Sequence, residues 1–235
     1  MISRGADTPD PELIGDADLI IIALYPHTVI SWIEMNQHLF KPGAVITDVT
    51  GVKGSVVGKV QKMLRDDCEF IAAHPMAGRE RSGIEYSDDS IFRVANYIIV
   101  PTENNTEGAI EVCRALAETL GFARISTLSV DEHDEMIAFL SQLTHCIAVS
   151  LMCANSDPSL KKFTGDSFRD LTRIAKINDE MWSELFIANK EKLLREMDRF
   201  KKSFEELETA LMRDDREKMR EMMRLSTVRR TEFDK

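Results

Sequence analysis

The pattern of hydrophobic and polar residues changes once along the chain, near residue 128. Before that point, short apolar runs rich in β-branched residues alternate with amphipathic stretches of helical period. Runs that are apolar at successive positions are typical of parallel strands covered by helices on both faces. The predicted strands are "DLIIIAL" (18–24), "AVITDV" (44–49), "EFIAA" (69–73), "NYIIV" (96–100) and "ARIST" (123–127). The predicted helices are 28–39, 54–64 and 106–120. This alternation predicts a doubly wound α/β domain.

Beyond residue 128 the pattern is helical throughout. Ser129 and Glu132 have the spacing of a capping box, which predicts a long helix from about Val130 to Ala154. Later stretches place charges on one face and Leu, Met and Phe on the other. We therefore predict an α/β fold followed by an all-α region, with a Rossmann-like parallel-sheet domain at 1–128 and a helical domain at 129–235.

Composition and charge exclude several classes of partner and binding site. The 235 residues carry a formal net charge of −10, which argues against nucleic acid as a partner. The four cysteines form no C-x-x-C pair, so we expect reduced, buried thiols in a cytoplasmic protein. The histidines lack zinc-ligand spacing, so no metal site is predicted. The longest apolar run, 19–24, is too short to span a membrane.

Polar side chains follow three of the predicted strands. Tyr25 follows the first strand, Thr50 follows the second, and His74 ends the third, immediately before Pro75. Ligands of open parallel sheets bind beyond the carboxyl ends of the strands, so neighbouring strands would bring these residues together. From the residues alone, His74 is either a catalytic base or a histidine that ends its strand and bonds to the backbone.

The helix from Val130 predicts a second group of polar residues. Asp134, Ser141 and His145 lie on one narrow stripe if the helix has 3.6 residues per turn. His133 lies off that stripe, and Gln142 borders it. The stripe is either part of a ligand pocket or a set of polar groups that satisfy one another.

The segment "SFRDLTRIAKINDEMW" (167–182) contains a third candidate, Arg173. Its neighbours Leu171, Ile174 and Ala175 are apolar, so we expect the guanidinium to be partly buried and paired with a carboxylate. Asp170 or a substrate carboxylate could supply that partner, and the residues alone favour Asp170.

Five segments together resemble the prephenate dehydrogenase family, which includes the arogenate dehydrogenases. They are "DADLIIIA", "ITDVTGVKG", "AAHPMAGRERSG", "EHDEMIAFLSQLTH" and "FRDLTRIAKINDEMW". The resemblance implies oxidative decarboxylation of prephenate to 4-hydroxyphenylpyruvate, with hydride transfer to NAD or NADP, in tyrosine biosynthesis. It leaves open prephenate or arogenate as substrate, the choice of cofactor, and feedback inhibition by tyrosine.

The resemblance also implies roles for residues on the substrate side. His74 matches the histidine that accepts the proton of the substrate hydroxyl, and Arg173 matches the arginine that holds a substrate carboxylate. His145 matches a histidine that lines the pocket, and Glu80 matches an acidic residue at its mouth. The remaining substrate-binding candidates are Ser141 and Gln142, where the family's S-H-x-x-H reads S-Q-L-T-H.

On the cofactor side, the resemblance implies contacts with the nicotinamide end from Tyr25, Pro26, Thr50 and Gly51. The family often has serine at the position of Gly51, and the adjacent Thr50 is a candidate to replace that hydroxyl.

The sequence contains no G-x-G-x-x-G turn, the main pyrophosphate site of dinucleotide-binding domains. We therefore expect the N-terminal glycine-rich part of that domain to be absent, through truncation or natural loss, and NAD binding to be weak or absent. The helical domain is expected to bind substrate and form a homodimer. The alternative function is a non-catalytic module that binds an aromatic acid or dimerises.

Overall fold

The computed structural model describes residues 4–78 and 83–234. Five strands lie in the first part of the chain: β1 (Leu19–Ile22), β2 (Val45–Asp48), β3 (Glu69–Pro75), β4 (Asn96–Val100) and β5 (Arg124–Thr127). The helices of that part are α1 (Pro11–Gly15), α2 (Pro26–Asn36), α3 (Val57–Met63) and α4 (Glu107–Leu120). The later helices are α5 (Val130–Ile137), α6 (Thr144–Cys153), α7 (Asp166–Thr172), α8 (Asp179–Ala188), α9 (Lys190–Met212) and α10 (Arg216–Thr231). The predicted α/β fold followed by an all-α region is confirmed.

The strands form one sheet in the order β1-β2-β3-β4-β5. All neighbouring pairs are parallel except β3 and β4, which are antiparallel, so the expectation of an all-parallel sheet is wrong at this pair. Among the described residues between these strands, only two 3₁₀ turns form, Ile84–Tyr86 and Asp89–Phe92. The connection, residues 76–95, is longer than the roughly dozen residues that a parallel crossover needs, so its length does not decide the direction of β4. Its described part forms no crossover helix, and β4 returns in the opposite direction.

β3 extends further than its apolar run predicts. His74 pairs with Ile98 and Pro75 pairs with Tyr97, so His74 lies inside the strand and does not end it. Proline lacks a backbone N–H but still has a carbonyl oxygen, so it can occupy the last position of the strand.

Successive residues of β3 pack against opposite faces of the sheet. Phe70 and Ala72 belong to a core that includes residues of α2 and α3. Ile71 and Ala73 belong to a second core, which includes residues of α4. The sheet is therefore covered on both faces, as its apolar runs predict.

Local end signals position several helices. Gly121 follows α4 with φ 77°, the left-handed conformation of a helix C′ residue. Ser129 and Glu132 form the predicted capping box at the start of α5. The long helix that follows is interrupted by a π-helical turn, Ala138–Leu143, between α5 and α6. By length and composition Val130–Cys153 could span a membrane, and 33% of its most apolar window is buried within this chain.

Contacts divide the chain into two compact units, Met1–Lys190 and Glu191–Lys235. The boundary predicted at 128/129 lies inside the first unit and stays a prediction. The cysteines are unpaired, but the expectation that all are buried is wrong: Cys113 is buried, whereas Cys153, at the end of α6, is exposed.

Candidate functional site

The carboxyl ends of β1, β2 and β3 lie side by side, as predicted, because these strands are parallel neighbours. Tyr25 precedes α2 after β1, Thr50 follows β2, and His74 is the penultimate residue of β3. This edge of the sheet carries the candidate site, which lies entirely within the unit Met1–Lys190.

His74 is joined to the first turn of α5 by a chain of hydrogen bonds. Its Nδ1 lies 2.9 Å from Nε2 of His133, and Nδ1 of His133 lies 2.8 Å from Oδ1 of Asp134. The backbone N–H groups of Lys53 and Gly54 donate to the two oxygens of the same carboxylate at 2.9 and 2.8 Å. Asp134 therefore ties α5 to the segment that follows β2.

Asp48 and Lys53 form a buried ion pair beneath His74. Nζ of Lys53 lies 2.8 Å from Oδ2 of Asp48, and both side chains have 0% exposure. The same ammonium donates to the carbonyl oxygen of Ala73 at 2.5 Å, and Oδ1 of Asp48 accepts from the N–H of Ala73 at 3.2 Å. The ion pair thus holds both backbone groups of the residue that precedes His74.

Burial and charge set the protonation states of the histidines. Burial, together with the nearby charge of Lys53, lowers the pKa of His74 well below 6.5. Burial also lowers the pKa of His133, although its hydrogen bond to Asp134 opposes the shift. Burial raises the pKa of Asp134, but the hydrogen bonds from His133, Lys53 and Gly54 outweigh that effect and leave this pKa lowered. At neutral pH both imidazoles are uncharged and Asp134 is a carboxylate.

A second histidine is held by an aromatic ring of α8. The imidazole of His145 stacks on Trp182, with ring centroids 3.7 Å apart and an angle of 30° between the planes. Nδ1 of His145 donates to the carbonyl oxygen of Ser141 at 2.9 Å, which leaves Nε2 to face away from that bond.

Gln142 is buried, and both ends of its side-chain amide are used within the protein. Its Nε2 donates to the carbonyl oxygen of Leu185 at 2.9 Å, and its Oε1 accepts from Nδ2 of Asn189 at 2.9 Å. These bonds join the π-helical turn to α8. The substrate contact of Gln142 stays a prediction.

Arg173 lies in a 3₁₀ turn, Arg173–Ala175, directly after α7. The structure leaves it exposed, so the expectation of a partly buried guanidinium is wrong. The apolar neighbours in sequence, Ile174 and Ala175, are themselves only half-buried. Glu80, predicted at the mouth of the pocket, lies outside the described residues, as do Arg79 and Arg81.

The residues predicted to meet the cofactor lie at the ends of β1 and β2. Pro26 is the buried first residue of α2, and the hydroxyl of Tyr25 accepts from Nδ2 of Asn178 at 3.2 Å. The hydroxyl of Thr50 is 3.2 Å from the carbonyl oxygen of Val52 and also donates to Asp48, so it is already bonded within the protein. A Cβ added at Gly51 would make only ordinary contacts, at 3.5 Å, with Leu185.

Within residues 4–78 and 83–234, no three His, Cys, Asp or Glu side chains are grouped as a metal site would require.

Two family models match the chain in succession. Residues 4–126 match the model described as "Prephenate dehydrogenase, nucleotide-binding domain". Residues 129–225 match the one described as "Prephenate dehydrogenase, dimerization domain". The chain belongs to the prephenate dehydrogenase family.

Individual family members resemble the chain over most of its length. Prephenate dehydrogenase of Bacillus subtilis is 29% identical over 86% of this chain, and that of Lactococcus lactis is 30% identical over 85%. The chain spans 56% of the length of each of these two relatives. A crystal structure of prephenate dehydrogenase from Aquifex aeolicus, in complex with hydroxyphenyl propionate and NAD⁺, superposes with a TM-score of 0.86 at 27% identity. That match covers 96% of this chain and 80% of the Aquifex chain. Because these relatives are named prephenate dehydrogenases, the similarity does not favour the alternative function, a non-catalytic module.

The sequence predictions missed the role of His133. The helical stripe from Asp134 to His145 excluded it, because the stripe assumed an uninterrupted α-helix. The signal that could have found it is a histidine beside an aspartate in the first turns of an apolar helix, where both must be satisfied if buried. The complete burial of Lys53 was not predicted either.

Proposed function

We propose that this chain belongs to an enzyme that oxidises and decarboxylates prephenate to 4-hydroxyphenylpyruvate in tyrosine biosynthesis, using a nicotinamide cofactor. The observation that carries the proposal is the uncharged imidazole of His74 at the carboxyl edge of the sheet. Its Nδ1 is engaged by His133, so Nε2 is the atom left to meet a substrate hydroxyl. A neutral imidazole is a suitable general base near pH 7.

The cofactor's nicotinamide end fits the edge formed by β1 and β2. Gly51 offers an approach free of a side chain, and the half-buried ring of Tyr25 is held by Asn178. When bound, the nicotinamide would accept hydride from the ring carbon that bears the substrate hydroxyl. The chain's own sequence contains no glycine-rich pyrophosphate turn, so we expect weak binding, and calorimetry with NAD should give no micromolar affinity. Micromolar binding would require another phosphate site within this chain.

The substrate side of the proposal uses His145 and Arg173. The stack on Trp182 fixes the plane of the His145 ring. The ring would then line the substrate pocket in a fixed orientation and form a hydrogen bond to the substrate. The guanidinium of Arg173 is exposed and suits a carboxylate, with which arginine can form two parallel hydrogen bonds. We retain Ser141, Gln142 and Glu80 as further members of this pocket.

In the proposed reaction, the protein accepts a proton and holds the substrate. As hydride leaves the ring carbon, the hydroxyl on that carbon becomes acidic, and Nε2 of His74 takes its proton. The ring carboxylate departs as carbon dioxide, and its bonding electrons complete the aromatic ring. The oxygen that lost its proton becomes a phenolate and takes a proton back, which gives the phenol and returns His74 to its neutral form. Aromatisation supplies much of the driving force, so orientation of the substrate is the main task of the protein.

We further propose a cytoplasmic homodimer in which residues 129–235 provide the dimerisation and substrate-binding domain. The description of the matched model for 129–225 as a dimerization domain supports the assembly. Prephenate is the preferred substrate of the proposal, with arogenate as the alternative, and tyrosine is a candidate feedback inhibitor.

Turnover tests the proposed function directly. The chain is mixed with prephenate and a large excess of NAD, and formation of reduced cofactor and 4-hydroxyphenylpyruvate is followed together. We expect His74→Asn to reduce kcat by about 10²–10⁴-fold and to change KM far less. His38→Asn is the matched control, because His38 is exposed on the turn after α2 and bonds to none of the site residues described above. Full activity of His74→Asn would contradict the proposal and make His145 the candidate base.

A further inference from the structure

His74 is connected to a carboxylate through a second imidazole, and this connection has a consequence for the site of its proton. The three groups come from two distant parts of the chain: His74 from β3, and His133 and Asp134 from α5. His133 has 0% exposure and Asp134 3%, so water does not compete for the bonds between them. The inference rests on the proposed function, since it concerns the protonation of the proposed base.

The positions of the protons follow from the partners of Asp134. An ionised carboxylate only accepts hydrogen bonds, so Nδ1 of His133 must carry the proton in its bond to Oδ1. The other nitrogen of the neutral ring, Nε2, is then an acceptor. It faces Nδ1 of His74 at 2.9 Å, so Nδ1 of His74 must be the donor. Nε2 of His74 is left without a proton and can accept one.

We propose that Asp134 and His133 are positioning residues that fix His74 in the one neutral tautomer able to act as a base through Nε2. Without them, either nitrogen of His74 could carry the proton, and the form protonated at Nε2 could not accept a proton there. Once Nε2 accepts a proton, the imidazolium keeps its Nδ1 proton and donates a charge-assisted hydrogen bond to His133, whose opposite nitrogen donates to Asp134.

The charged groups around the two rings agree with this arrangement. Lys53, Asp48 and Asp134 are the charged residues described next to the pair, and two carboxylates against one ammonium leave the cluster with one net negative charge. A proton received by His74 neutralises that charge. Asp134 itself is held in place by the N–H groups of Lys53 and Gly54. Backbone groups as well as side chains therefore fix the donor and acceptor of each hydrogen bond from Asp134 through His133 to His74.

Nitrogen NMR of the histidine rings tests the proposal without cofactor or turnover. The full chain is labelled with ¹⁵N in its five histidines, and long-range ¹H–¹⁵N spectra at neutral pH show which ring nitrogen of each carries the proton. His74→Asn and His133→Gln assign the two rings by loss of their signals. We expect His74 and His133 both to be protonated at Nδ1 and bare at Nε2. A proton on Nε2 of His74 in the unsubstituted chain would overturn the proposal.

Two substitutions at position 133 then separate positioning from packing. His133→Gln places an amide oxygen roughly where Nε2 stood, so His74 should keep its proton on Nδ1. His133→Phe fills the same space with no acceptor, so His74 should become a mixture of tautomers. An unchanged His74 spectrum in His133→Phe would overturn the proposal. If that variant does not fold, Asp134→Ala is used, which removes the acceptor of the His133 Nδ1 proton, and we expect a changed tautomer at His133; an unchanged one would count against the proposal.

The NMR result and the turnover result can fail separately. The predicted tautomer together with full activity of His74→Asn would contradict the proposed function and leave the positioning of His74 by His133 and Asp134 intact. A different tautomer together with loss of activity in His74→Asn would contradict the positioning role of His133 and Asp134 and leave His74 itself as a residue that the reaction requires.

Discussion

The carboxylate of Asp134 approaches the backbone of Gly54 so closely that position 54 has no room for a side chain. Oδ2 accepts from the Gly54 N–H at 2.8 Å, and a Cβ built on Gly54 would lie 2.9 Å from that same oxygen. Because the oxygen is fixed by this bond and the other carboxylate oxygen is bonded to Lys53 and His133, it cannot move aside without breaking the chain that leads to His74.

Gly54→Ala is therefore expected to destabilise the protein by about 1–3 kcal/mol, the usual cost when a buried polar group loses its partner. Gly58→Ala is the matched control, because Gly58 lies within α3 and a Cβ there meets nothing within 4 Å. In a helix, alanine in place of glycine should stabilise by about 0.5–1 kcal/mol. Urea unfolding of both variants measures the difference, and equal behaviour would show that Asp134 is not fixed.

The buried ion pair of Lys53 and Asp48 should be sensitive to loss of one partner. Lys53→Met leaves the Asp48 carboxylate buried without its counter-ion, and we expect a loss of about 3–5 kcal/mol in the free energy of unfolding. Lys59→Met, on the exposed surface of α3, should change it by less than about 0.5 kcal/mol. In a double-mutant cycle, Asp48→Asn combined with Lys53→Met should cost less than the sum of the two single changes. An additive cycle would contradict a direct interaction.

Stability should fall as the pH is lowered below about 6.5. The folded pKa of His74 and that of His133 lie below the usual 6.5, so the unfolded chain binds protons first as pH falls. Their contribution is complete above about pH 6.5 and is lost progressively as pH falls toward the lowered pKa values. The charged groups that face these rings are Lys53, Asp48 and Asp134, and burial lowers the pKa of the Lys53 ammonium, although its ion pair with Asp48 opposes the shift.

Urea unfolding at several pH values measures that dependence. His74→Asn removes one of the two titrating rings and should reduce the slope below pH 6.5 by up to about 1.4 kcal/mol per pH unit. His38→Asn leaves the rings of His74 and His133 in place and should retain the slope. An unchanged slope in His74→Asn would mean that His74 takes up its proton equally well in the folded chain.

Arg173 should contribute to binding of a carboxylate ligand. Calorimetry with hydroxyphenyl propionate avoids any need for the cofactor. Loss of a charge-assisted hydrogen bond in Arg173→Gln typically costs about 1.5–3 kcal/mol, or about 10- to 150-fold in Kd. Arg169→Gln is the control, since Arg169 is exposed and pairs with Asp166 at 2.8 Å on α7. Equal affinities in the two variants would contradict a clamp at Arg173.

The second unit, Glu191–Lys235, should associate with a second copy of the chain. Of the methionines at 197, 212, 219, 222 and 223, none is fully buried, and Met212 and Met223 are 71% and 59% exposed. Leu211 and Val228 are also more than half exposed. Large contiguous apolar patches often mark interfaces, and the family model that matches 129–225 is described as a dimerization domain. Light scattering at micromolar concentration should give the mass of a dimer, and Met223→Glu should lower the affinity between copies. A monomer mass for the unchanged chain would contradict the assembly.

Features that depend on neighbouring residues were predictable from the sequence. The run "NYIIV" matches β4 residue for residue, and Gly121 and Ser129 mark helix ends through conformations and hydrogen bonds that involve only a few positions. The direction of β4 was not predictable from its own residues, because it depends on the connection from β3. Contact between His74 and His133 joins residues 59 apart, and no local pattern reports it. Burial of Lys53 was unexpected because an ammonium enters a core only when its partners come with it.

The π-helical turn between α5 and α6 divides one helix into two segments whose side chains differ in rotational phase about the helix axis. A π turn holds an extra residue, so everything after it is rotated by about 100° relative to an uninterrupted α-helix. The first segment aims His133 and Asp134 at the sheet, and the second aims His145 at Trp182. Deletion of one residue within Ala138–Leu143 would bring the two segments into the same phase and turn His145 away from its ring, with the capping box at Ser129 untouched. The orientation of His133 and that of His145 can therefore change independently within a single continuous helix.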